Sequence, residues 1–230
     1  MLRSRVVSFL CVGAPLTALS LFANPTAHAS ITLYSQPTSF PHNAYYASQN
    51  SFATDYDDFT LAQTGTITGV DWTGEFFHPP TTATIDSFTI SFYGDNAGIP
   101  GTQLFTDTIP GDANAVSLGP GDNNDQPGYS YSTNLDSPFV ADAGTKYWMS
   151  IAANFPLGPQ WAWDSGTGGD GVSYQVFLGT GIPRTTDDAF TLIGTVPEPS
   201  PVYAMLLGAL GLTSLAAIRH RTHFRARSGR

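Results

Sequence analysis

The sequence predicts an all-β protein: an antiparallel β-sandwich, jelly-roll-like in topology, between an N-terminal signal peptide and a C-terminal transmembrane helix. Three observations predict the sandwich. Short segments alternate apolar and polar residues, as half-buried strands do. Clusters of glycine, asparagine, aspartate and proline separate these segments. Residues 30–196 contain no apolar stripe with helical spacing, and Glu75 is their only glutamate, although aspartate is abundant.

Three predicted strands have the clearest alternation. Phe88, Ile90 and Phe92 share one face of the first. Every second residue of 147–153 and of 172–178 forms the apolar face of the other two. Many short strands separated by regular turns indicate a sandwich. Weaker strands are predicted at residues 58–61, 67–72, 103–109, 115–118, 129–135 and 189–194.

Residues 57–61 (DDFTL) are similar to residues 187–192 (DDAFTL). A full internal repeat is not supported by the sequence between them. We interpret the similarity as the first and last strands of the domain, which we expect to pair side by side in one sheet.

The N-terminus has the features of a secretory signal peptide. Two arginines precede the apolar residues 6–23, and Ala27 and Ala29 supply small side chains at the two critical positions of a cleavage site. We predict cleavage after Ala29, so that residues 1–29 direct the chain to the secretion translocon. The only cysteine of the sequence, Cys11, lies in this segment. The mature protein would therefore have no disulfide and no cysteine nucleophile.

The C-terminus combines three features in a fixed order. Pro197, Glu198 and Pro199 come first, followed by the 17 uncharged residues 202–218 and the basic end 219–230. The apolar segment is at the short limit of the roughly 17–25 residues that a spanning helix needs. The prolines favour an extended backbone. The arginines after the span predict that this end is cytoplasmic and that the preceding domain is outside.

This order resembles the PEP-CTERM sorting signal of Gram-negative bacteria, over residues 196–230. In that family a membrane-embedded exosortase recognises Pro-Glu-Pro and cleaves the tail, which releases or relocates the protein to the exterior. The resemblance implies that Pro197, Glu198 and Pro199 are the recognised residues and that residues 202–218 hold the substrate in the bilayer. It further implies a transient stay in the inner membrane, then a location at the cell surface or outside the cell.

Residues 30–195 form the predicted ectodomain. The two similar segments at 57–61 and 187–192, together with residues 141–148 (ADAGTKYW) before a central strand, look like the β-sandwich ectodomains, mostly uncharacterised, that often accompany this tail. The ectodomain carries 17 acidic side chains against two basic ones, Lys146 and Arg184, which gives a formal charge of −15. Nucleic acid is disfavoured as a partner because phosphate binding requires clustered bases. The acidity suits solubility outside the cell or the binding of divalent cations.

Few residues of the ectodomain are suited to catalysis. His42 and His78 have neither the spacing of a zinc site nor a Gly-x-Ser-x-Gly elbow nearby. We therefore predict that the protein is not an enzyme and has no catalytic cofactor. An acid-pair glycosidase is a less favoured alternative. The segment from Asp71 to Glu75 places two carboxyl groups near an aromatic residue, Trp72. Glu75 is the better candidate for the catalytic acid of such a glycosidase.

Two acidic segments contain candidate ligands for a structural calcium ion. Residues 121–125 (GDNND) resemble half of an oxygen-ligand calcium loop, without the sixth-position glycine and the terminal glutamate of an EF-hand. Asp55, Asp57 and Asp58 either gather around a cation or face water. For residues 121–125 a solvated turn is the preferred explanation, because turns rich in Asp and Asn are common in all-β proteins.

Trp161 and Trp163 lie on the same side of a predicted strand. We interpret them as part of the core, because large aromatic residues are usually buried. The alternative is a platform that stacks on sugar rings. The family resemblance implies an exported protein with a structural or adhesive role in biofilm or exopolysaccharide. The alternative is a carbohydrate-binding module that contacts extracellular polysaccharide through Trp161 and Trp163, either alone or with the assistance of calcium.

Overall fold

The computed structural model describes residues 29–38, 44–47, 52–77, 84–120, 127–155 and 160–197. Within these ranges the chain forms two antiparallel sheets and no helix, which confirms the predicted all-β class. Accordingly, no described segment is a helix long and apolar enough to span a membrane. The predicted signal peptide up to residue 28 and the tail from residue 198 lie outside the described residues. So do His42, His78 and residues 121–125.

The described residues contain fourteen strands. They are β1 Ile31–Gln36, β2 Ala44–Tyr46, β3 Ala53–Thr60, β4 Gly65–Phe77, β5 Ser87–Asp95, β6 Pro100–Pro110, β7 Val116–Pro120, β8 Pro127–Ala141, β9 Lys146–Asn154, β10 Gln160–Gly166, β11 Ser173–Phe177, β12 Thr180–Arg184, β13 Asp187–Asp188 and β14 Phe190–Thr195. Each weaker strand predicted from the sequence overlaps one of them.

The long strand β4 organises an eight-stranded sheet. One side of β4 pairs with β8, which pairs in turn with the short strand β7. The other side pairs with β14 along residues 66–72 and with β10 along residues 74–77. Beyond them, β1 pairs with β14, whereas β2 and β13 pair with β10.

The second sheet has six strands in the order β12-β11-β3-β9-β5-β6. The alternation predicted for residues 88–92 and 147–153 is confirmed, because those apolar side chains are buried on its inner face. The edge strand β12 contains Pro183, which lacks an N–H for pairing with a further strand.

An aromatic core joins the two sheets. Phe59 of β3 contacts Phe190 of β14, with 6.4 Å between ring centroids. Trp72 of β4 contacts Phe88 of β5 edge to face, at 5.1 Å. Because each pair joins strands of different sheets, the sheets pack face to face as a β-sandwich. Such pairs contribute about 0.5–1.5 kcal/mol each beyond their buried area.

The expected pairing of residues 57–61 with residues 187–192 is wrong. The first segment lies in β3, which pairs with β9 and β11, and the second lies in β13 and β14 of the other sheet. The two segments face each other across the core, where each contributes a phenylalanine. The strand that pairs with β14 at its free side is β1, which the sequence analysis did not predict.

The outer face of β11 carries its apolar residues. Ser173 and Gln175 are buried, whereas Tyr174 and Val176 of the predicted apolar face point outward and Leu178 is 67% exposed in the following turn. The inner face of β11 meets acidic side chains of β3 rather than the aromatic core. This inversion places acidic side chains between the sheets and aromatic side chains on the outer face of the six-stranded sheet.

Candidate functional site

Four aspartates meet between the sheets near one end of the sandwich. Asp55 and Asp57 belong to β3 of the six-stranded sheet, and Asp187 and Asp188 form β13 of the eight-stranded sheet. All four are buried. The backbone N–H of Asp188 donates a hydrogen bond to the carboxylate of Asp57 and so links the two sheets. We call these four residues the buried acidic cluster.

Asp57 is the best bonded member of the cluster. Besides the N–H of Asp188, its carboxylate accepts the side-chain amide of Gln36 at 3.0 Å and the backbone N–H of Asp58 at 2.7 Å. These donors come from β1, β3 and β13. The carboxylate therefore ties three strands together.

Replacing Asp57 should destabilise the protein. In Asp57→Ala, buried N–H donors lose their acceptor, each at a cost of about 1–3 kcal/mol, so we expect a loss of about 3 kcal/mol in the free energy of unfolding. Urea unfolding followed by circular dichroism measures it. Asp57→Asn keeps one oxygen acceptor and should lose less, and Asp142→Ala at an exposed turn should lose almost nothing. Equal stability of Asp57→Ala and the wild type would contradict this role.

Asp187 fixes the turn before β11. Its two oxygens accept the backbone N–H groups of Gly169 at 3.0 Å and Gly171 at 2.7 Å. A Cβ added at Gly169 would lie 2.6 Å from the Gln36 amide nitrogen and 2.7 Å from the Asp187 carboxyl carbon. The close approach thus requires glycine at position 169.

Asp55 and Asp188 are bonded poorly. Both oxygens of Asp188 and Oδ2 of Asp55 are buried without a hydrogen-bond partner. Burial raises the pKa of Asp55 to about 7. Burial also raises the pKa of Asp188 well above its ordinary value, and the charges of Asp55 and Asp57 add to this effect. Arg184 opposes the rise in both groups, but its guanidinium donates to Gln175 at 3.0 Å.

The acids of β3 do not gather around one point. Asp58 faces the opposite side of the strand from Asp57 and forms an ion pair with Lys146 at 2.9 Å. Lys146 also pairs with Asp170 at 2.9 Å. Among the described residues, no three His, Cys, Asp or Glu side chains are arranged to hold a metal ion. The sequence left open whether these three acids gather around a cation or face water. In the structure Asp55 and Asp57 are buried, whereas Asp58 pairs with Lys146.

A groove of about 320 Å³ lies on the outer face of the six-stranded sheet. Tyr56 and Tyr93 line it, and their rings meet edge to face with centroids 5.3 Å apart. Tyr174 contacts Tyr56 from the neighbouring strand, at 6.5 Å. Phe52, which is 72% exposed, lies at its rim. We call this feature the tyrosine groove.

A second groove, of about 360 Å³, lies on the outer side of the eight-stranded sheet. It contains the side chain of Asp71, whose pKa is raised by burial. Glu75, the candidate acid of a glycosidase, is 0% exposed and does not line this groove. The two carboxyl groups thus do not face each other across a cleft.

Trp161 and Trp163 form part of the core. Both are 0% exposed. The indole N–H of Trp161 donates to the hydroxyl of Tyr131 at 3.1 Å, and that of Trp163 donates to the carbonyl of Ala189 at 2.8 Å. The two indoles do share one side of a strand, β10, but that side faces inward. Trp161 and Trp163 thus belong to the core, the interpretation that the sequence favoured, and the alternative sugar platform is not formed.

The tyrosine groove was not predicted from the sequence. Tyr56 lies within an acidic segment, Asp55 to Asp58, which draws attention to charge and cations. The available signal was the same-face alternation of Tyr174 and Val176, which places an aromatic ring beside Tyr56 once β11 pairs with β3. Of the predicted sorting motif, Pro197 is the last described residue, and Glu198 and Pro199 lie outside the described residues.

Comparison with known families gives one match. The profile of a domain of unknown function, DUF7901, matches residues 34–172, more than half of the chain. The chain belongs to this family. The matched region includes Tyr56 and Tyr93 of the groove and ends before Tyr174 and β13. No curated protein matches the chain.

Proposed function

We propose that this DUF7901 protein is exported to the cell surface or the extracellular matrix and has a structural or adhesive role there without catalysis. One observation carries the proposal: the Pro-Glu-Pro motif, the apolar residues 202–218 and the basic residues 219–230 follow one another in the order of a PEP-CTERM sorting signal. On this proposal, the secretion translocon exports the chain and an exosortase then processes the tail.

The position of the chain ends supports this route. Ile31 near the start of β1 pairs with Gly194 near the end of β14. The two ends of the sandwich therefore leave from neighbouring strands of one sheet. A tail that begins two residues after Thr195 can hold the domain at a membrane without interrupting its pairing.

We further propose a jelly-roll-like topology for the sandwich. In support, the chain passes repeatedly from one sheet to the other: from β2 to β3, from β3 to β4, from β4 to β5, from β6 to β7, from β8 to β9, from β9 to β10, from β10 to β11 and from β12 to β13. Alternation of this kind produces the two interleaved sheets of a jelly roll.

Cell fractionation tests the proposed route. We expect the wild-type protein at the outer surface or in the medium, and a Glu198→Ala variant in the inner membrane because the processing enzyme would no longer recognise the motif. Asp142→Asn, which removes an exposed acid within the sandwich, is the matched control and should follow the wild type. Wild-type and Glu198→Ala proteins in the same fraction would refute processing at this motif.

A carbohydrate-binding module is the second candidate function. The favourable observation is the tyrosine groove, which offers half-buried aromatic rings at a solvent-facing site. The glycosidase alternative has less support, since Glu75 is fully buried.

A further inference from the structure

The tyrosine groove presents a row of side chains across adjacent strands. Tyr174 of β11 is the register partner of Tyr56 of β3, which is opposite Ser150 of β9, followed by Ser91 of β5 and Thr106 of β6. The row therefore runs perpendicular to the strands and changes from aromatic to hydroxyl side chains along its length. At about 4.8 Å between neighbouring strands, it spans about 19 Å.

The aromatic end offers ring faces. Tyr56, Tyr93 and Tyr174 are each half-buried, so part of each ring is open to solvent. Tyr93 leans over the intervening strand, where its hydroxyl lies 3.2 Å from that of Ser150. The faces of pyranose rings carry C–H groups that pack on aromatic rings, whose faces are electron-rich.

The hydroxyl end offers donors and acceptors without charge. Ser91 is buried in the floor of the groove and donates to the hydroxyl of Thr106 at 2.9 Å. Thr106 is exposed, and its hydroxyl keeps its own hydrogen to donate to a ligand. Thr89 and Gln103 extend this polar lining. Sugar hydroxyls both donate and accept, so a neutral surface of this kind matches them.

The absence of charge from the lining limits the ligand. None of the described residues that line the groove is acidic or basic, although the ectodomain has a formal charge of −15. Charged groups on strands of the same sheet are engaged with one another or with Trp148: Lys146 pairs with Asp58, and Asp95 accepts the Trp148 indole N–H at 2.8 Å. An anionic chain would find no cation in the groove, and the surrounding acids would repel it.

The groove on the eight-stranded sheet offers no aromatic ring face to solvent among its described residues. Trp72 and Tyr131 contribute to its wall but are almost fully buried, at 2% and 3% exposure. Its lining also includes the carboxyl group of Asp71. Ring stacking is therefore available at the six-stranded sheet and not here.

We propose that the tyrosine groove binds an uncharged polysaccharide chain, with Tyr56 and Tyr93 stacking on pyranose rings and Thr89, Gln103 and Thr106 contacting their hydroxyls. The volume of about 320 Å³ lies at the lower end of the range for ligand pockets, which suits a few sugar units of a longer chain. The biological meaning of this site rests on the proposed export, but binding itself does not require tail processing. Polysaccharide binding can therefore be refuted without refuting tail processing, and the reverse also holds.

Isothermal titration calorimetry tests the proposal. The full-length protein, in a detergent without a sugar headgroup, is titrated with cellohexaose, laminarihexaose, maltohexaose, mannohexaose and polygalacturonate. We expect saturable binding of at least one neutral oligosaccharide and none of polygalacturonate. No binding of any neutral oligosaccharide, or binding of polygalacturonate alone, would overturn the proposal.

Variants locate the site. Tyr93→Ala should weaken binding at least about tenfold, as truncation of a central aromatic residue does at binding surfaces. Tyr56→Phe keeps its ring and should retain affinity within about threefold. Phe52→Ala removes an exposed ring at the rim and gives a second test if Tyr93→Ala does not fold. Asp71→Asn in the other groove is the matched control. Equal affinity of wild type, Tyr93→Ala and Phe52→Ala, or loss in Asp71→Asn alone, would refute this location.

Discussion

The protein should unfold at a lower denaturant concentration at pH 8 than at pH 4.5. The cause is the buried acidic cluster, in which burial raises the pKa of Asp55 to about 7 and that of Asp188 well above its usual range. The pKa of Asp57 is also raised, by burial and by the charge of Asp187, against the hydrogen bonds that it accepts. Each of these carboxyls binds its proton more tightly in the folded protein than in the unfolded chain.

The direction of the effect follows from proton linkage. Where the folded state binds more protons than the unfolded state, stability decreases as pH rises. For Asp55 this window runs from the unfolded pKa of 3.8 to the folded pKa of about 7. At about 1.4 kcal/mol per pH unit, Asp55 alone accounts for a loss of up to about 4 kcal/mol. Lys146 does not contribute to the difference, because its ordinary pKa of 10.5 lies above this pH range and is raised further. Burial lowers the pKa of Lys146, but hydrogen bonds to Asp58 and Asp170 outweigh burial and raise it.

Unfolding in guanidinium chloride at the two pH values measures this effect. The denaturant is a salt and screens the general repulsion among the acidic groups, so the difference that is left comes from the buried acidic cluster. Asp188→Asn provides the specific test. It removes a buried carboxyl whose oxygens accept no hydrogen bond, so it should stabilise the protein at pH 8 and reduce the difference between the two pH values. An unfolding midpoint that is equal or higher at pH 8 in the wild type would contradict this account of the cluster.

Replacement of Trp161 should cause a comparably large loss. Its ring contacts Phe88 and Tyr131, with centroids 5.3 and 5.9 Å away. A Cβ added at Gly74 would lie 2.2 Å from the indole, so the ring rests directly on that glycine. Trp161→Ala would leave a cavity, and we expect a loss of about 3–5 kcal/mol. In a domain of this size the melting temperature should decrease by about 10 °C.

Scanning calorimetry of Trp161→Ala and Phe52→Ala makes the comparison. Phe52 is 72% exposed, so its truncation should change the melting temperature by only a degree or two. The same comparison tests the inward orientation of β10. If Trp161→Ala melted at the wild-type temperature, the indole would have to lie at the surface.

The strands of the core could be predicted from sequence because their alternation is unambiguous. In β5 and β9 the apolar residues share one face, and burial against the opposite sheet is the only favourable place for that face. When both faces of a strand carry polar residues, alternation alone does not predict which face is buried. β3 alternates Asp55 and Asp57 with Thr54 and Tyr56, and the acids are the buried set.

The candidate site could not be predicted for the same reason. The acids of β3 are buried because partners distant in sequence, Gln36 and the N–H of Asp188, bond to Asp57 across the sandwich. Once that face is inside, Tyr56 must lie outside, where it lines the groove together with Tyr93. Tyr174 then lies beside the groove, in contact with Tyr56. The tryptophans present the converse case: a tryptophan pair suggests a sugar platform, but the direction of its strand decides whether the rings reach solvent.

The intact mass of the protein recovered from native cells and medium tests the central claim most directly. Export and tail processing predict a mass that lacks residues 1–29 and ends close to Pro197. A mass that runs to Arg230 would contradict processing at Pro197, Glu198 and Pro199, and the tail would then be a permanent anchor.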